Sequence, residues 1–158
     1  MKIIIMLAAS FVFLLGCAHT SEKRALFVGE INGEALLTHY QSFQTPYEQS
    51  SFSAQEIAVI EQWPDNVHVD VFFGTWCHDS QREVPKLLKI LSYNQKLAYK
   101  LIALDYQKTE PSGLAAQKAI EFTPTIILYK NNKELGRIIE RPRNSLITDM
   151  NALITLSK

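Results

Sequence analysis

The residue of this sequence with the clearest chemical potential is Cys77, which follows a hydrophobic stretch and precedes a segment with helical periodicity. The start of a helix offers unpaired amides and a partial positive charge, and both favour the thiolate of a cysteine over the thiol. The thiolate is the nucleophile in disulfide exchange. Trp76 would pack beside the sulfur and offer a flat surface to a substrate. This placement predicts a reactive thiol rather than an inert buried cysteine.

Polar neighbours of Cys77 could tune its reactivity. The Ser80 hydroxyl is a competent hydrogen-bond donor to a thiolate, and a protonated His78 would act in the same direction, whereas Asp79 would oppose both. Three adjacent residues rarely converge on one ion, so we predict no metal site here.

A second feature, Thr123-Pro124-Thr125, precedes another hydrophobic strand. Proline removes a hydrogen-bond donor from the strand and needs a special backbone geometry there. We therefore predict a cis peptide bond before Pro124.

The other cysteine, Cys17, ends an N-terminal targeting segment. Lys2 is followed by a hydrophobic run over residues 3–15 that is too short to span a membrane but fits a signal peptide. The run ends at Leu14-Leu15-Gly16-Cys17, which resembles the bacterial lipobox, whose cysteine is acylated and becomes the first mature residue. A secretory signal cleaved without lipidation is the alternative.

We therefore divide this region into a lipoprotein signal peptide (1–16) and a polar tether (17–24). The resemblance implies a membrane-anchored, periplasm-facing protein, and Ala18 after the lipidated cysteine favours the outer membrane. If Cys17 is acylated, Cys77 is the only free thiol of a domain in a compartment that oxidises thiols.

Composition excludes several classes of protein. The 158 residues fit one domain, and 47% of them are hydrophobic, as in ordinary globular proteins. Sixteen basic and sixteen acidic residues give zero formal net charge, which argues against a nucleic-acid binder. Two cysteines are too few for a disulfide-dense scaffold or a four-cysteine zinc module.

Hydrophobic periodicity predicts an alternating α/β order. A capping box at Ser53 and Glu56 opens a helix. Residues 68–73 and 97–104 read as strands that flank a helix over 80–93, and a further helix is predicted over 112–121. Strands 126–129 and 135–139 form a hairpin, and Asn144 or Ser145 caps a last helix. Residues 25–31 could form an edge strand, and 33–47 has mixed signals. The order indicates a mixed sheet with helices on both faces.

The segment 72–80, FFGTWCHDS, resembles the active-site segment of the thioredoxin superfamily in its exported bacterial branch. Pro85 matches the proline of the family's active-site helix, Thr123-Pro124 its cis-proline loop and Gly136 a glycine after its hairpin. The resemblance implies a thioredoxin-like three-layer sandwich over 52–158, with 25–51 as an N-terminal extension and no cofactor. It also implies that Cys77 is the nucleophile and that Thr123 pairs its backbone with an extended substrate.

Two departures from the family pattern change the expected chemistry. Ser80 stands where the second cysteine is usual, so the motif is Cys-x-x-Ser. The usual buried acid falls on Val71, and Asp70 would point to the opposite face of its strand. Cys77 can therefore form a mixed disulfide that this chain cannot resolve. Either a substrate thiol resolves it, which shuffles disulfides, or an external thiol or protein does, which gives reduction.

Two functional hypotheses remain open at this point. The first is a membrane-anchored monothiol thiol–disulfide oxidoreductase that acts on disulfide- or thiol-containing envelope proteins or small thiols. The second is a non-catalytic binding module that holds an extended peptide or envelope protein in the cis-proline groove. A copper-handling protein would need more thiol, imidazole or thioether ligands than this site offers.

Overall fold

The protein is built on a five-stranded sheet, and the computed structural model describes residues 26–156 of the chain. The strands lie in the order β1-β3-β2-β4-β5; β2 and β3 are parallel, and the other neighbouring pairs are antiparallel. The mixed sheet and the α/β class are thus as predicted. The strand bounds are β1 (Gly29–Ile31), β2 (Val67–Phe73), β3 (Ala98–Ala103), β4 (Thr125–Lys130) and β5 (Lys133–Ile139).

Six helices are present in the described residues, and they cover the two faces of the sheet unequally. Five of them bury side chains in the larger hydrophobic core, whereas the short helix α5 packs on a smaller cluster on the opposite face. The helix bounds are α1 (Gly33–His39), α2 (Gln41–Gln49), α3 (Ala54–Glu61), α4 (His78–Ser92), α5 (Leu114–Gln117) and α6 (Leu146–Leu156).

The alternation of side chains along β2 separates these two faces. Val69, Val71 and Phe73 are fully buried in the larger core, on what we call the α4 face. Phe72 belongs to the smaller cluster, on what we call the α5 face, and Asp70 points the same way as Phe72 because side chains alternate along a strand. The prediction that Asp70 lies opposite Val71 is confirmed.

Local turn and capping signals were predicted accurately. Ser53 and Glu56 form the reciprocal capping box at the start of α3. Asn131 and Asn132 adopt positive φ angles of 52° and 63° between β4 and β5, which suits a tight hairpin. Of the two proposed caps for α6, Ser145 is the one whose hydroxyl accepts a hydrogen bond from the Thr148 amide, at 3.1 Å.

The segment before α3 is an integral part of the core. The mixed signals over 33–47 correspond to two helices, α1 and α2. Leu36 and Phe43 are fully buried, and the Phe43 ring meets the Phe73 ring edge-on with centroids 5.7 Å apart. This segment therefore shares one hydrophobic core with the rest of the described chain.

Helix α5 is much shorter than the helix predicted over 112–121. The left-handed Gly113 (φ 73°) begins it, and Ala119 (φ 51°) takes the chain out of the helical conformation. The helical propensity of the alanines in this stretch is overridden, because the chain turns back toward Thr123.

No helix within 26–156 is both long and apolar enough to cross a membrane. The signal peptide, Cys17 and the tether lie outside the described residues.

Candidate functional site

Cys77 lies at the junction between β2 and α4, where it is the N-cap of the helix. Its backbone is extended (φ −86°, ψ 124°), its carbonyl accepts from the Gln81 amide at 2.9 Å, and its side chain makes no capping hydrogen bond. The thiol is free and half-buried. The half-buried thiol thus belongs to the N-cap residue of α4, where the first backbone amides of a helix lack intrahelical partners.

The Thr123–Pro124 loop lies directly against this sulfur. The peptide bond between the two residues is cis, as predicted. The Cys77 Sγ donates a hydrogen bond to the Thr123 carbonyl oxygen at 3.1 Å. The loop is held by two further bonds: the Thr125 hydroxyl donates to the Phe122 carbonyl, and the Glu140 amide donates to the Pro124 carbonyl, both at 2.7 Å. The structure therefore brings the predicted nucleophile and the predicted substrate-binding loop together.

Trp76 is fixed beside Cys77 rather than loosely exposed. Its indole N–H donates to the Leu104 carbonyl at 3.1 Å. The ring also lies on Gly74, where an added Cβ would come within 2.6 Å of the indole Cε2. Glycine at position 74 is thus what lets the indole lie against the backbone before the helix.

Ser80 makes a hydrogen bond that the sequence did not predict. It is fully buried, and its hydroxyl accepts a hydrogen bond from the Gly74 amide at 3.2 Å. A Ser80–Cys77 hydrogen bond is not found within residues 26–156, and the donation from Ser80 to a Cys77 thiolate stays a prediction. Ser80 ties the first turn of α4 to the end of β2.

Charged side chains along α4 mostly pair with one another. Asp79 and Arg82 form an ion pair at 2.6 Å, and Arg82 Nε also donates to the buried Glu83 at 2.6 Å. The hydrogen bond to Glu83 raises the pKa of Arg82 above its ordinary value. His78 is exposed beside them. The carboxylate of Asp79 is therefore committed to Arg82.

Within residues 26–156, the α4 face of β2 carries no carboxylate. Val71 occupies the position of the family's buried acid and is fully buried among apolar side chains. Asp70 is 8% exposed on the α5 face, on the far side of the sheet from α4. Within the described part of the chain, no three His, Cys, Asp or Glu side chains come together as a metal site would require.

Sequence reasoning missed several residues of the site. The Tyr106 ring packs on the Trp76 ring with centroids 4.9 Å apart, and Phe122 precedes Thr123 with 47% of its side chain exposed. The Gln81 side chain donates to the Thr75 carbonyl at 2.8 Å. The one available signal was that Phe122 adjoins the Thr-Pro pair; nothing in the chain order places Tyr106 beside Trp76.

Comparison with known proteins agrees with this geometry. A family model described as thioredoxin matches residues 32–150, which is more than half of the chain. The chain belongs to the thioredoxin family. It is 29% identical over 75 residues to thioredoxin of Echinococcus granulosus and 30% identical over 101 residues to chloroplastic thioredoxin Y of Oryza sativa subsp. japonica. These alignments cover 48% and 63% of this thioredoxin-family chain, and 66% and 58% of the two relatives.

Solved structures show the same fold. A protein of unknown function from Pseudomonas aeruginosa superposes with a TM-score of 0.59 at 18% identity, over 79% of this chain and 80% of that one. The NTD_N/C domain of alkylhydroperoxide reductase AhpF from Enterococcus faecalis superposes with a TM-score of 0.52 at 15% identity, over 73% of this chain and 53% of that one. At these identities the likeness concerns the fold alone.

Proposed function

We propose that this thioredoxin-family chain is an exported, lipid-anchored thiol–disulfide oxidoreductase that works with one thiol. The observation that carries the proposal is the free, half-buried Cys77 at the start of α4, with its Sγ 3.1 Å from the Thr123 carbonyl oxygen. A thiol that can be approached from solvent and lies against a cis-proline loop is suited to attack on a disulfide. The same accessibility favours the enzyme over a purely binding role.

The first chemical step exchanges one disulfide for another. The Cys77 thiolate attacks one sulfur of a substrate disulfide and forms a Cys77–substrate disulfide, while the substrate S–S bond breaks. The other substrate sulfur leaves as a thiolate and takes up a proton. Cys77 is then oxidised, and one substrate sulfur is reduced.

Completion of the cycle requires a thiol from outside this chain, because Ser80 replaces the usual resolving cysteine. In isomerisation, another substrate thiolate attacks the substrate sulfur of the mixed disulfide, forms a new substrate disulfide and releases Cys77. In reduction, one external thiol releases the reduced substrate and a second releases Cys77. Those two thiols end as a disulfide, so their two electrons pass to the substrate.

Trapping covalent partners in the cell envelope tests the redox role directly. We expect Cys77 of the full chain to accumulate disulfide adducts that mass spectrometry identifies, and Cys77→Ser to abolish them. Ser80→Ala is the matched control in the same turn and should retain the adducts. Partner capture that survives Cys77→Ser would favour the binding module instead, and absence of adducts from the unmodified chain would contradict the proposal.

Restoring a second thiol tests the monothiol mechanism. Ser80→Cys places a sulfur in the first turn of α4, three residues after the nucleophile. We expect this variant to release its substrates, so that trapped adducts decline and reduction of a protein disulfide by a dithiol cycle becomes measurable. Unchanged adduct levels would show that the missing second thiol is not the reason why the mixed disulfide accumulates.

Anchoring through Cys17 accounts for the proposed location at the envelope, facing the periplasm, with outer-membrane sorting favoured by Ala18. Envelope proteins with disulfides, or small thiols, would then be the partners. We expect palmitate to be incorporated into the full chain and to be absent from Cys17→Ser, which should also leave the membrane fraction. Equal palmitate labelling of both chains would exclude this anchor.

A further inference from the structure

Aromatic residues adjoin the two chain segments that meet at the Cys77 sulfur. Trp76 precedes the cysteine, Phe122 precedes Thr123, and Tyr106 packs against Trp76. We call Trp76, Tyr106 and Phe122 the aromatic rim. Tyr106 is 61% exposed and Phe122 is 47% exposed, so two of the few exposed large hydrophobic side chains of the described residues belong to it. Exposed apolar surface beside a reactive group is typical of a binding site.

The inner part of the rim is rigid. The Trp76 indole is held by the Leu104 carbonyl and by its close approach to Gly74. The Tyr106 ring lies at an interplanar angle of 34° to the indole. Because the ring and the indole support one another, the outer face of Tyr106 remains available to a third apolar group.

The loop that carries Tyr106 is also fixed. The Asp105 carboxylate accepts from both the amide and the hydroxyl of Thr109 at 2.7 Å, and the Asp105 amide donates to the Thr109 carbonyl at 3.1 Å. The turn closed by these bonds presents Tyr106 outward. Tyr106 is therefore exposed on an ordered loop. Binding of a ligand to its ring would cost little further conformational entropy in the protein.

We infer that the aromatic rim makes Tyr106 a specificity-determining residue, which selects polypeptide disulfides whose cysteine is flanked by an aromatic or aliphatic side chain. This inference rests on the proposed function, since it names the substrate class of the same thiol. The flanking side chain would pack on Tyr106 while the substrate sulfur reaches Cys77. Small hydrophilic disulfides would reach the sulfur without using the rim.

The test compares three disulfides with the full chain carrying Cys17→Ser, so that Cys77 is the only thiol. Two are peptide disulfides of identical charge, with Phe or Ala next to the cysteine, and the third is bis(2-hydroxyethyl) disulfide. The rate constant for adduct formation at Cys77 is measured by mass spectrometry. We expect the Phe peptide to react about five- to tenfold faster than the Ala peptide, and Tyr106→Ala to abolish this preference.

Control variants separate recognition of the substrate's flanking side chain from an effect of the Tyr106 ring on the Cys77 thiol. Tyr106→Phe keeps the ring and should keep the preference, and Leu156→Ala removes a distant apolar side chain that is 81% exposed and should change nothing. Tyr106→Ala should lower the rate with the Phe peptide more than the rate with bis(2-hydroxyethyl) disulfide, so that the ratio of these two rates falls by about five- to tenfold. An equal fall with all three disulfides would overturn the inference, because the ring would then act on Cys77 or Trp76 instead of on the substrate.

Failure of this inference is distinguishable from failure of the proposed function. Equal rates for the two peptides overturn the selectivity but leave the thiol chemistry supported. If no disulfide forms an adduct, binding of the reduced peptides to Cys77→Ser is measured through intrinsic tryptophan fluorescence. Tighter binding of the Phe peptide would support the selectivity while the redox proposal fails, and equal binding would overturn both.

Discussion

The two faces of the sheet differ in how they use polar groups. On the α4 face, the side chains of β2 are all apolar, and the reactive sulfur lies at the end of that face. On the α5 face, Asp70 is nearly buried, and Arg137 of β5 donates to the Lys118 carbonyl at 2.6 Å just after α5. Within residues 26–156, β2 therefore carries its carboxylate on the face away from α4. The sulfur itself lies at a helix start and contacts the backbone carbonyl of Thr123.

Introducing a carboxylate on the α4 face should cause the largest loss of stability, because the β2 side chains on that face are all apolar. Val71→Asp would bury an unpaired acid among apolar side chains, and we expect it to lower the free energy of unfolding by about 4–5 kcal/mol. Urea denaturation measures the change. Asp70→Asn, the neighbouring substitution on the α5 face, should change it by less than about 1 kcal/mol. Similar losses for both variants would show that the faces do not differ as described.

Removing the Phe43 ring tests whether the segment before α3 belongs to the α4 face. The ring is fully buried and contacts Phe73, so Phe43→Ala should lower the free energy of unfolding by about 3–4 kcal/mol. Phe27→Ala is a matched control, because that ring is 38% exposed and should contribute much less. A single cooperative transition with little loss of stability in Phe43→Ala would contradict a shared core.

Adding a methyl group at position 74 tests the packing of the Trp76 indole against the backbone just after β2. Gly74→Ala forces the Trp76 indole to move, and overpacking of this kind destabilises by about 1–3 kcal/mol. We expect a change in Trp76 fluorescence together with loss of the Phe-peptide preference. Gly113→Ala, where an added Cβ meets nothing within 4 Å, should leave both readouts unchanged even though its positive φ strains the backbone.

The smallest expected effect concerns the ion pair on β5. Arg137 donates to Glu134 through two nitrogens, at 2.6 and 3.1 Å, and this hydrogen bonding lowers the pKa of Glu134 below its ordinary value. A lowered carboxyl pKa contributes stability above the ordinary pKa that is lost as the pH falls through the folded-state pKa.

We expect Glu134→Gln to reduce stability at neutral pH by about 0.5 kcal/mol or less, because the pair is solvated. The difference from the unmodified chain should vanish at acidic pH, as measured by thermal unfolding from pH 7 to pH 3. A difference that grows as the pH falls would contradict this sign.

Much of the fold could be predicted from local pattern. The capping box at Ser53 and the positive-φ pair Asn131 and Asn132 depend on interactions within a few residues, so the sequence specifies them directly. The strands were recognisable as short apolar runs between turn signals. In contrast, α1 and α2 were missed because their burial depends on Leu36 and Phe43 meeting a core formed by distant strands.

The residues of the site likewise divide into those that the local sequence predicts and those that only tertiary contacts bring together. Cys77 and the Thr123–Pro124 pair were identifiable from residue type and their position at strand ends. The contact of Tyr106 with Trp76 was not, because a tyrosine in a polar loop carries no signal of the ring it will meet. The hydrogen bond that the Ser80 hydroxyl accepts from the Gly74 amide was not predicted either, because it depends on how the first turn of α4 packs against the end of β2.

The amino-acid order alone determined which sulfur is predicted to react, that a serine stands at the second position of its motif, and where most strands and turns fall. These features follow from residue identity and short-range backbone preferences. Only the tertiary structure decided that the Thr123 carbonyl meets the sulfur, that five helices of residues 26–156 pack on one face, and that the Tyr106 ring packs on Trp76. Those outcomes depend on the packing of segments far apart in the chain, where burial outweighs local propensity.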